Sequence, residues 1–501
     1  MLTRIYSGGL HGIDAYLVTV ETDLSTHGLP GWHFVGLPEA IVRESKDRVT
    51  TALRSSGVQV RTQKITVNLA PAQCRKRENF FDLPIAIGLA AATASLPAET
   101  LSTSLMAGEL LLSGHLHPIR GALSLALLAR DRGLTLILPA ANEREIQVVR
   151  GLAYFAAETL HAVITFLLER ESPTWTQPPS YFPYANGADL ADIRGHPLPR
   201  RALEIAAAGN HHLLLIGPPG IGKTMLAQRL PGILPPLTYE EAVEVTQIYS
   251  ASSEGLPSGL VHQRPFRAPH HSASTASIVG GGHAQVGEVS LAHRGVLFLD
   301  ELLEFRRDAI ESLRQPLESG AVTVTRTEYR ARYPAHFLCV MACNPCQCGY
   351  YGHPTIACQC SMAHLLRYRS KLSGPLLDRI DLHVLMEPPS SNALTAAHAA
   401  ESTEIVRQRV LQARDVQSLR YQDPRMTNAR LTAAATRNAC PLTADARRFL
   451  LQCMEKQGLS MRTYDGLLRI ARTIADLAHD ATIALPHVAE AMHYRQLDRP
   501  L

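Results

Sequence analysis

The stretch Gly217-Pro218-Pro219-Gly220-Ile221-Gly222-Lys223-Thr224 fits G-x-x-x-x-G-K-[ST] at every fixed position. An apolar, strand-like run from His212 to Ile216 precedes it, and a helix-like run from Met225 to Leu230 follows. Strand, glycine loop and helix form the context in which such a loop grips phosphate. Glycines allow backbone angles that turn successive N–H groups inward, and the helix N-terminus adds its positive end. Lys223 is then placed to reach the β- and γ-phosphates, and the Thr224 hydroxyl to sit on Mg²⁺. These residues point to binding of a nucleoside triphosphate. A second apolar run, Gly295 to Leu299, ends in Asp300 and Glu301. Carboxylates at a strand's C-terminal end lie where open α/β sheets hold ligands. Asp300 suits the Mg²⁺ shell, and Glu301 suits orienting or deprotonating the attacking water. A third apolar run, His336 to Ala342, leads to Asn344. Asn344 reads either as a contact to the γ-phosphate or attacking water, or as an Asx turn capping the strand. Arg379, flanked by Asp378 and Asp381, reads either as a surface ion pair or as an arginine finger acting across a subunit boundary.

The elements that must position these groups follow from the rest of the chain. Its 501 residues suggest about three domains. A net charge of +4 is too small to argue for nucleic acid by itself, so any basic surface must come from local clustering. Met1 to Ser7 lacks the apolar core of a signal peptide, and the longest apolar run, Leu83 to Leu96, is too short to span a bilayer. A cytoplasmic protein with no membrane association is expected. Residues 1–168 alternate strand-like and helix-like patterns and read as a separate α/β domain. Residues 169–198, rich in proline and aromatics, read as a linker. The nucleotide-binding core is expected over 199–388, with a cysteine-rich insertion at 343–360, and a helical domain over 389–501.

Five of the nine cysteines fall between Cys343 and Cys360. Cys346-x-Cys348 and Cys358-x-Cys360 are two close pairs whose four thiolates suit tetrahedral Zn²⁺, with free reduced thiols as the alternative. Two further segments stand out by composition. Ser277 to Glu288 is glycine-rich and contains His283. Thr323 to Tyr333 alternates like a hairpin, with Arg326, Arg330 and Arg332 interleaved with Tyr329 and Tyr333. Arginines neutralise phosphates and tyrosines stack on bases, although any exposed hairpin alternates in this way.

The phosphate loop, Leu-Phe-Leu-Asp-Glu ending at Glu301, strand-end Asn344, Leu-Leu-Asp-Arg379 and a helical C-terminal region together resemble an AAA+ ATPase. Arg264-Pro265-Phe266-Arg267-Ala268-Pro269-His270-His271-Ser272 and Gly287-Glu288-Val289-Ser290-Leu291-Ala292-His293-Arg294-Gly295 resemble the Mg-chelatase-like branch. Asn344-Pro345-Cys346-Gln347-Cys348-Gly349 and Leu372-Ser373-Gly374-Pro375-Leu376-Leu377-Asp378-Arg379 narrow the resemblance to the ComM/YifB family, and it covers nearly the whole chain. That resemblance implies a P-loop AAA+ core with a helical lid, preceded by a Lon-protease-like α/β domain. It implies ATP and Mg²⁺ as ligands and a ring, hexameric in the family. It also implies helicase and branch-migration work on single-stranded and branched DNA during natural transformation and homologous recombination. The alternative is a Mg-chelatase-type or protein-remodelling ATPase acting on a partner protein. Arg462 resembles the lid arginine that contacts the γ-phosphate in cis, with Arg469 and Arg472 as competitors on the same helix. Proteolysis is not supported: Ala72 to Leu83 holds no serine, and Arg120, where a lysine would be required, is too basic to act as a general base. Arg75-Lys76-Arg77 in this domain reads as a DNA contact or a solvated loop.

Overall fold

A computed structural model describes residues 2–27, 29–59, 63–76, 78–94, 96–177, 188–252, 259–281, 286–326, 329–388 and 401–495. The chain forms two compact units. One comprises residues 1–183 with 238–262, and the other 184–237 with 263–501.

The first unit is built on an eight-stranded mixed sheet. Its order is Thr174–Trp175, Ala153–Ala157, Thr135–Pro139, Ser104–Met106, Leu2–His11, Asp14–Ser25, Lys64–Ala70 and Gly31–Val35. The central hairpin pairs His11 with Asp14 across a two-residue turn, and Gly12 supplies the positive φ (+69°) that such a turn requires. The alanine- and leucine-rich helix Asp82–Ala94 packs on this hairpin and buries its residues from Leu83 to Ala91. A continuous apolar run of this length has no solvent face to show, which is why it lies inside.

Two features depart from the domain boundaries expected above. Thr174–Trp175 pairs antiparallel with Ala153–Ala157, so the start of the expected linker is an edge strand of the sheet. Helix Tyr239–Ala251, opened by a capping box between Thr238 and Glu241, belongs to the first unit although it lies within 199–388. Tyr239 Oη donates to the Val148 carbonyl at 2.8 Å, and Gln247 Nε2 donates to the Ile13 carbonyl at 2.7 Å. The Arg150 guanidinium lies 3.9 Å from the Tyr239 ring centroid. Lys76 corrects another expectation. It is fully buried, with Nζ donating to the carbonyls of Gly36 (3.2 Å) and Pro71, so it presents no charge to a ligand. Arg77 lies outside the described residues.

The second unit carries a five-stranded parallel sheet in the order Phe266–Arg267, Val296–Leu299, Leu338–Cys343, Leu213–Ile216, Leu382–Leu385. Three of these strands, Leu213–Ile216, Val296–Leu299 and Leu338–Cys343, read as continuous apolar runs because helices cover both faces. The C-terminal helices Thr403–Tyr421, Ala433–Ala439, Ala444–Gln457 and Met461–Leu477 are each opened by a serine or threonine: Ser402, Thr432, Thr443 and Ser460. Each side chain accepts a backbone N–H of the first turn, a cap worth about 1 kcal/mol. Helix Met461–Leu477 turns its apolar face into the same core as Pro197–Gly209 and the sheet. This is a P-loop AAA+ core with its helical lid, in a chain that also carries a separate N-terminal α/β unit. Among the described residues, no helix is long and apolar enough to cross a membrane.

Candidate functional site

The order of the parallel sheet decides which strand ends become neighbours. Leu213–Ile216 runs into the glycine loop, and its partner Leu338–Cys343 runs into Asn344. The next strand, Val296–Leu299, runs into Asp300 and Glu301. Strands lie about 4.8 Å apart, so three adjacent ends deliver their side chains into one crevice. Register sets the depth: Ile216 pairs with Cys343 and Leu299 with Met341. The resulting cavity encloses about 370 Å³ and is lined by the loop from Pro219 to Thr224 with Asp300, Glu301, Cys343 and Asn344.

Within the loop, Gly220 (φ +75°) and Gly222 (φ +96°) adopt left-handed angles that let the chain reverse before helix Lys223–Ile233. Lys223 is buried, and its Nζ donates to the carbonyls of Gly217 (2.7 Å) and Pro218 (2.9 Å) and to Asn344 Oδ1 (3.0 Å). Burial draws the ammonium below its ordinary pKa, opposed by the charges of Asp300 and Glu301. Thr224 Oγ1 donates to Asp300 Oδ2 at 2.6 Å. A hydroxyl and a carboxylate meeting in this way offer two hard oxygen donors, the kind Mg²⁺ takes. Burial pushes the Cys343 thiol up to about 12, so it lines the cavity as a neutral group. Glu301 is exposed at φ +51°, and its Oε2 stands 3.1 Å from His271 Nδ1. The His270 ring lies against His271 at a tilt of 34°, the ring centroids 4.1 Å apart. Sequence pattern alone gives neither histidine a role at this site.

Arg379 and Arg462 are absent from the cavity lining. They converge elsewhere, on Glu318. Arg379 Nη2 donates to Oε2 at 2.7 Å, and Arg462 Nη2 lies 3.9 Å from Oε1. The two competitors on the lid helix are engaged internally. Arg472 is wholly buried, donating to Asp476 at 3.0 Å and to the carbonyls of Ala481 (2.8 Å) and Asp480. Arg469 donates to the Leu431 carbonyl at 3.1 Å and stands 4.0 Å from Asp381.

Sequence comparison gives the same assignment from outside the structure. Residues 189–394 match the family model for magnesium chelatase, subunit ChlI. Residues 20–142 match that for subunit ChlI of Mg-chelatase, and 400–495 that for its C-terminal part. The YifB protein of Salmonella typhimurium is 42% identical over 514 residues, covering 100% of this chain and 98% of its own. Competence protein ComM of Haemophilus influenzae is 41% identical over 507 residues, with the same two coverages. The chain belongs to the ComM/YifB family.

In this ComM/YifB chain the four insertion cysteines come together as the spacing suggested. The sulfurs of Cys346, Cys348, Cys358 and Cys360 all lie within 4.8 Å of one another. Three of the separations are 3.3, 3.7 and 3.5 Å. A zinc ion with Zn–S bonds of about 2.3 Å sets tetrahedron edges of about 3.8 Å, so the cage fits that geometry with slight expansion. Backbone N–H groups of Tyr351 and Cys360 donate to the Cys346 and Cys358 sulfurs at 3.3 and 3.4 Å. Between the pairs, Gly349 (φ +87°) packs directly on the phosphate loop: a Cβ there would stand 2.7 Å from Pro219 Cδ.

The hairpin also forms. Ala321–Arg326 pairs with Tyr329–Pro334, with Thr323 opposite Arg332, Thr325 opposite Arg330 and Arg326 opposite Tyr329. Arg332 is exposed, whereas Tyr333 is buried with Val322, Val324 and Ala331 and so holds the hairpin down instead of offering a stacking face. His283 lies outside the described residues, between helices Thr275–Val279 and Glu288–Leu291.

Proposed function

We propose that this protein is an ATP-driven, ring-forming DNA motor of the cytoplasm, a helicase that promotes branch migration during natural transformation and homologous recombination. The observation that carries the reading is the convergence of Lys223, Thr224, Asp300, Glu301 and Asn344 at adjacent strand ends, in a chain related end to end to a competence protein. In this reading Thr224 and Asp300 hold Mg²⁺, which neutralises charge on the triphosphate when bound. Lys223 exchanges its loop carbonyls for phosphate oxygens. Glu301, exposed and close to the site, orients the attacking water and takes its proton. Asn344 shares the Lys223 ammonium and reports on the γ-phosphate. Arg379 has no place in its own cavity, and this suits a finger that completes the site of an adjacent subunit in a hexamer. Arg332, with Arg326, Tyr329, Arg330 and His283, is assigned to DNA in the channel. The cysteine cage is assigned to structural Zn²⁺; metal analysis of purified protein should give about one zinc per chain.

A second reading, an ATPase subunit that remodels a partner protein, is favoured by the chelatase description of the three matching family models. Steady-state ATP hydrolysis with and without single-stranded and forked DNA separates the two. The motor reading requires stimulation by DNA, and its loss in Lys223→Ala and Arg379→Ala. Activity that is flat across DNA types refutes it and leaves the protein-remodelling reading.

A further inference from the structure

Glu318 lies on the last turn of helix Arg314–Ser319, just before the hairpin begins at Ala321. Its carboxylate joins three elements distant in sequence: its own helix, the turn after helix Gly374–Leu377 that carries Arg379, and the first turn of lid helix Met461–Leu477 that carries Arg462. The hydrogen bond from Arg379, then its charge, hold the Glu318 carboxyl below the ordinary range. Arg379 is also tied to the Pro375 carbonyl at 2.5 Å, so its side chain is fixed by two acceptors.

The joint between Glu318 and the hairpin is short and stiff. Gly320, at φ +62°, ends the helix, and its carbonyl accepts from Ala335 N at 2.8 Å, on the hairpin's other strand. Ser319 Oγ donates to the carbonyls of Gln315 and Ala321, both at 2.9 Å. A Cβ on Gly320 would overlap the His336 ring, so the joint has no spare room on that side. A shift of the helix end therefore carries the root of the hairpin with it.

We infer that Glu318 is a positioning residue that holds Arg379 and Arg462 as a pair and links their release to the hairpin. The Glu318 carboxylate is 60% exposed and the Arg379 side chain 12%, so solvent screens the pair chiefly from the carboxylate side and a more highly charged acceptor displaces it. A terminal phosphate on the adjacent subunit is such an acceptor, with more charge and three oxygens for two guanidinium groups; Arg462, absent from its own cavity lining and beside Arg379, is assigned to that phosphate in place of the cis contact the resemblance implied. When the arginines turn to it, Glu318 loses both partners and the hairpin root loses a restraint. ATP occupancy at one interface thereby reaches the DNA-facing hairpin of the subunit that donates the arginines.

This inference rests on the motor reading, and its test keeps the two apart. Glu318→Gln removes the charge at constant size; Glu318→Asp retains it. Wild type, both variants, Arg379→Ala and the double variant Glu318→Gln/Arg379→Ala are compared for ring assembly, ATPase without DNA and ATPase at saturating DNA. Glu318→Gln should assemble normally, raise the DNA-free rate about threefold as the arginines are freed, and bring the stimulation factor close to one. Glu318→Asp should restore coupling, which a mere loss of packing would not allow. Adding Glu318→Gln to Arg379→Ala should change nothing further, because the partner is already gone. Wild-type coupling and DNA-free rate in Glu318→Gln, or an undiminished effect in the Arg379→Ala background, overturn the inference. If wild type itself ignores DNA, the motor reading falls, and an unchanged DNA-free rate in Glu318→Gln then overturns the arginine-holding role as well.

Discussion

Gly349→Ala tests whether the cysteine loop braces the phosphate loop. Two costs apply. At φ +87° an alanine is strained by about 1–2 kcal/mol relative to glycine. The new Cβ also falls 2.7 Å from Pro219 Cδ and 3.3 Å from Cγ, where ordinary carbon contacts are about 3.5–4.0 Å. One side must give by close to 1 Å, and with Zn²⁺ in the proposed site the cysteine cage would hold Gly349 from both ends. The displacement therefore goes into Pro219 and the phosphate loop. Overpacking of this kind costs about 1–3 kcal/mol. If about half appears as mispositioned loop N–H groups, ATP binding weakens roughly 2- to 13-fold. Gly352→Ala is the matched control: φ is +78°, yet nothing lies within 4 Å of its Cβ, so it carries the backbone strain alone. Titration of both variants with a fluorescent ATP analogue, alongside thermal melts, reads the difference. Affinity should fall in Gly349→Ala and hold within about twofold in Gly352→Ala. Equal affinity in the two, with both folded, would refute the brace.

Three further outcomes follow from the same geometry. Asn344→Ala removes the Lys223 acceptor at 3.0 Å, a hydrogen bond to a charged group worth about 2 kcal/mol; kcat should fall roughly thirtyfold with ATP affinity nearly kept, and a fall under threefold would count against its role. Arg472→Met strips a wholly buried cation from Asp476, which keeps Arg420 and Asn428; unfolding of this unit in urea should show a loss of about 3 kcal/mol, and under 1 kcal/mol would contradict the network. Burial lowers His212 to about 4 and His383 to about 3, so below pH 6.5 the unfolded chain binds two protons that the folded chain refuses. Stability is then full above pH 6.5 and declines as pH falls, by about 2 kcal/mol per histidine at pH 5. Thermal melts from pH 7 to 5 should show this, with the slope about halved in His383→Leu; a flat profile would contradict it.

What was legible in the sequence was what local rules control. The phosphate loop announces itself because glycines and lysine at fixed spacing have few other uses. Asp300, Glu301 and Asn344 were legible because each ends an apolar run, and parallel strands all end on the same side. The four cysteines met because two C-x-C turns need only one reversal between them. Misplaced readings share a different cause. Helix Tyr239–Ala251 lies inside the span expected for the nucleotide-binding core, but the local signals that open a helix say nothing about which core it joins, and this one joins the first unit. Lys76 looked like part of a charge run, yet backbone carbonyls took its ammonium inside. Arg462, Arg469 and Arg472 share one helix and one residue type. Only packing divides them into an arginine paired through Glu318, one bound near Asp381 and one buried on Asp476.

The segment from Asn344 to Arg379 shows why these parts work together. It leaves the nucleotide cavity at Asn344, enters the cysteine cage two residues later, and touches the phosphate loop again through Gly349. It then forms helix Met362–Arg369, and Lys371 donates to the Leu303 carbonyl at 2.6 Å, just beyond Glu301. Helix Gly374–Leu377 follows and delivers Arg379 to Glu318. One continuous stretch thus runs from the cavity of its own subunit to the arginine assigned to the next. A loop of this length would be slack if it were held only at its ends. The cage shortens its free path, and Lys371 pins it beside the acidic strand end. The stretch between Asn344 and Arg379 thus has the cysteine cluster, the Gly349 contact and the Lys371 hydrogen bond along its length.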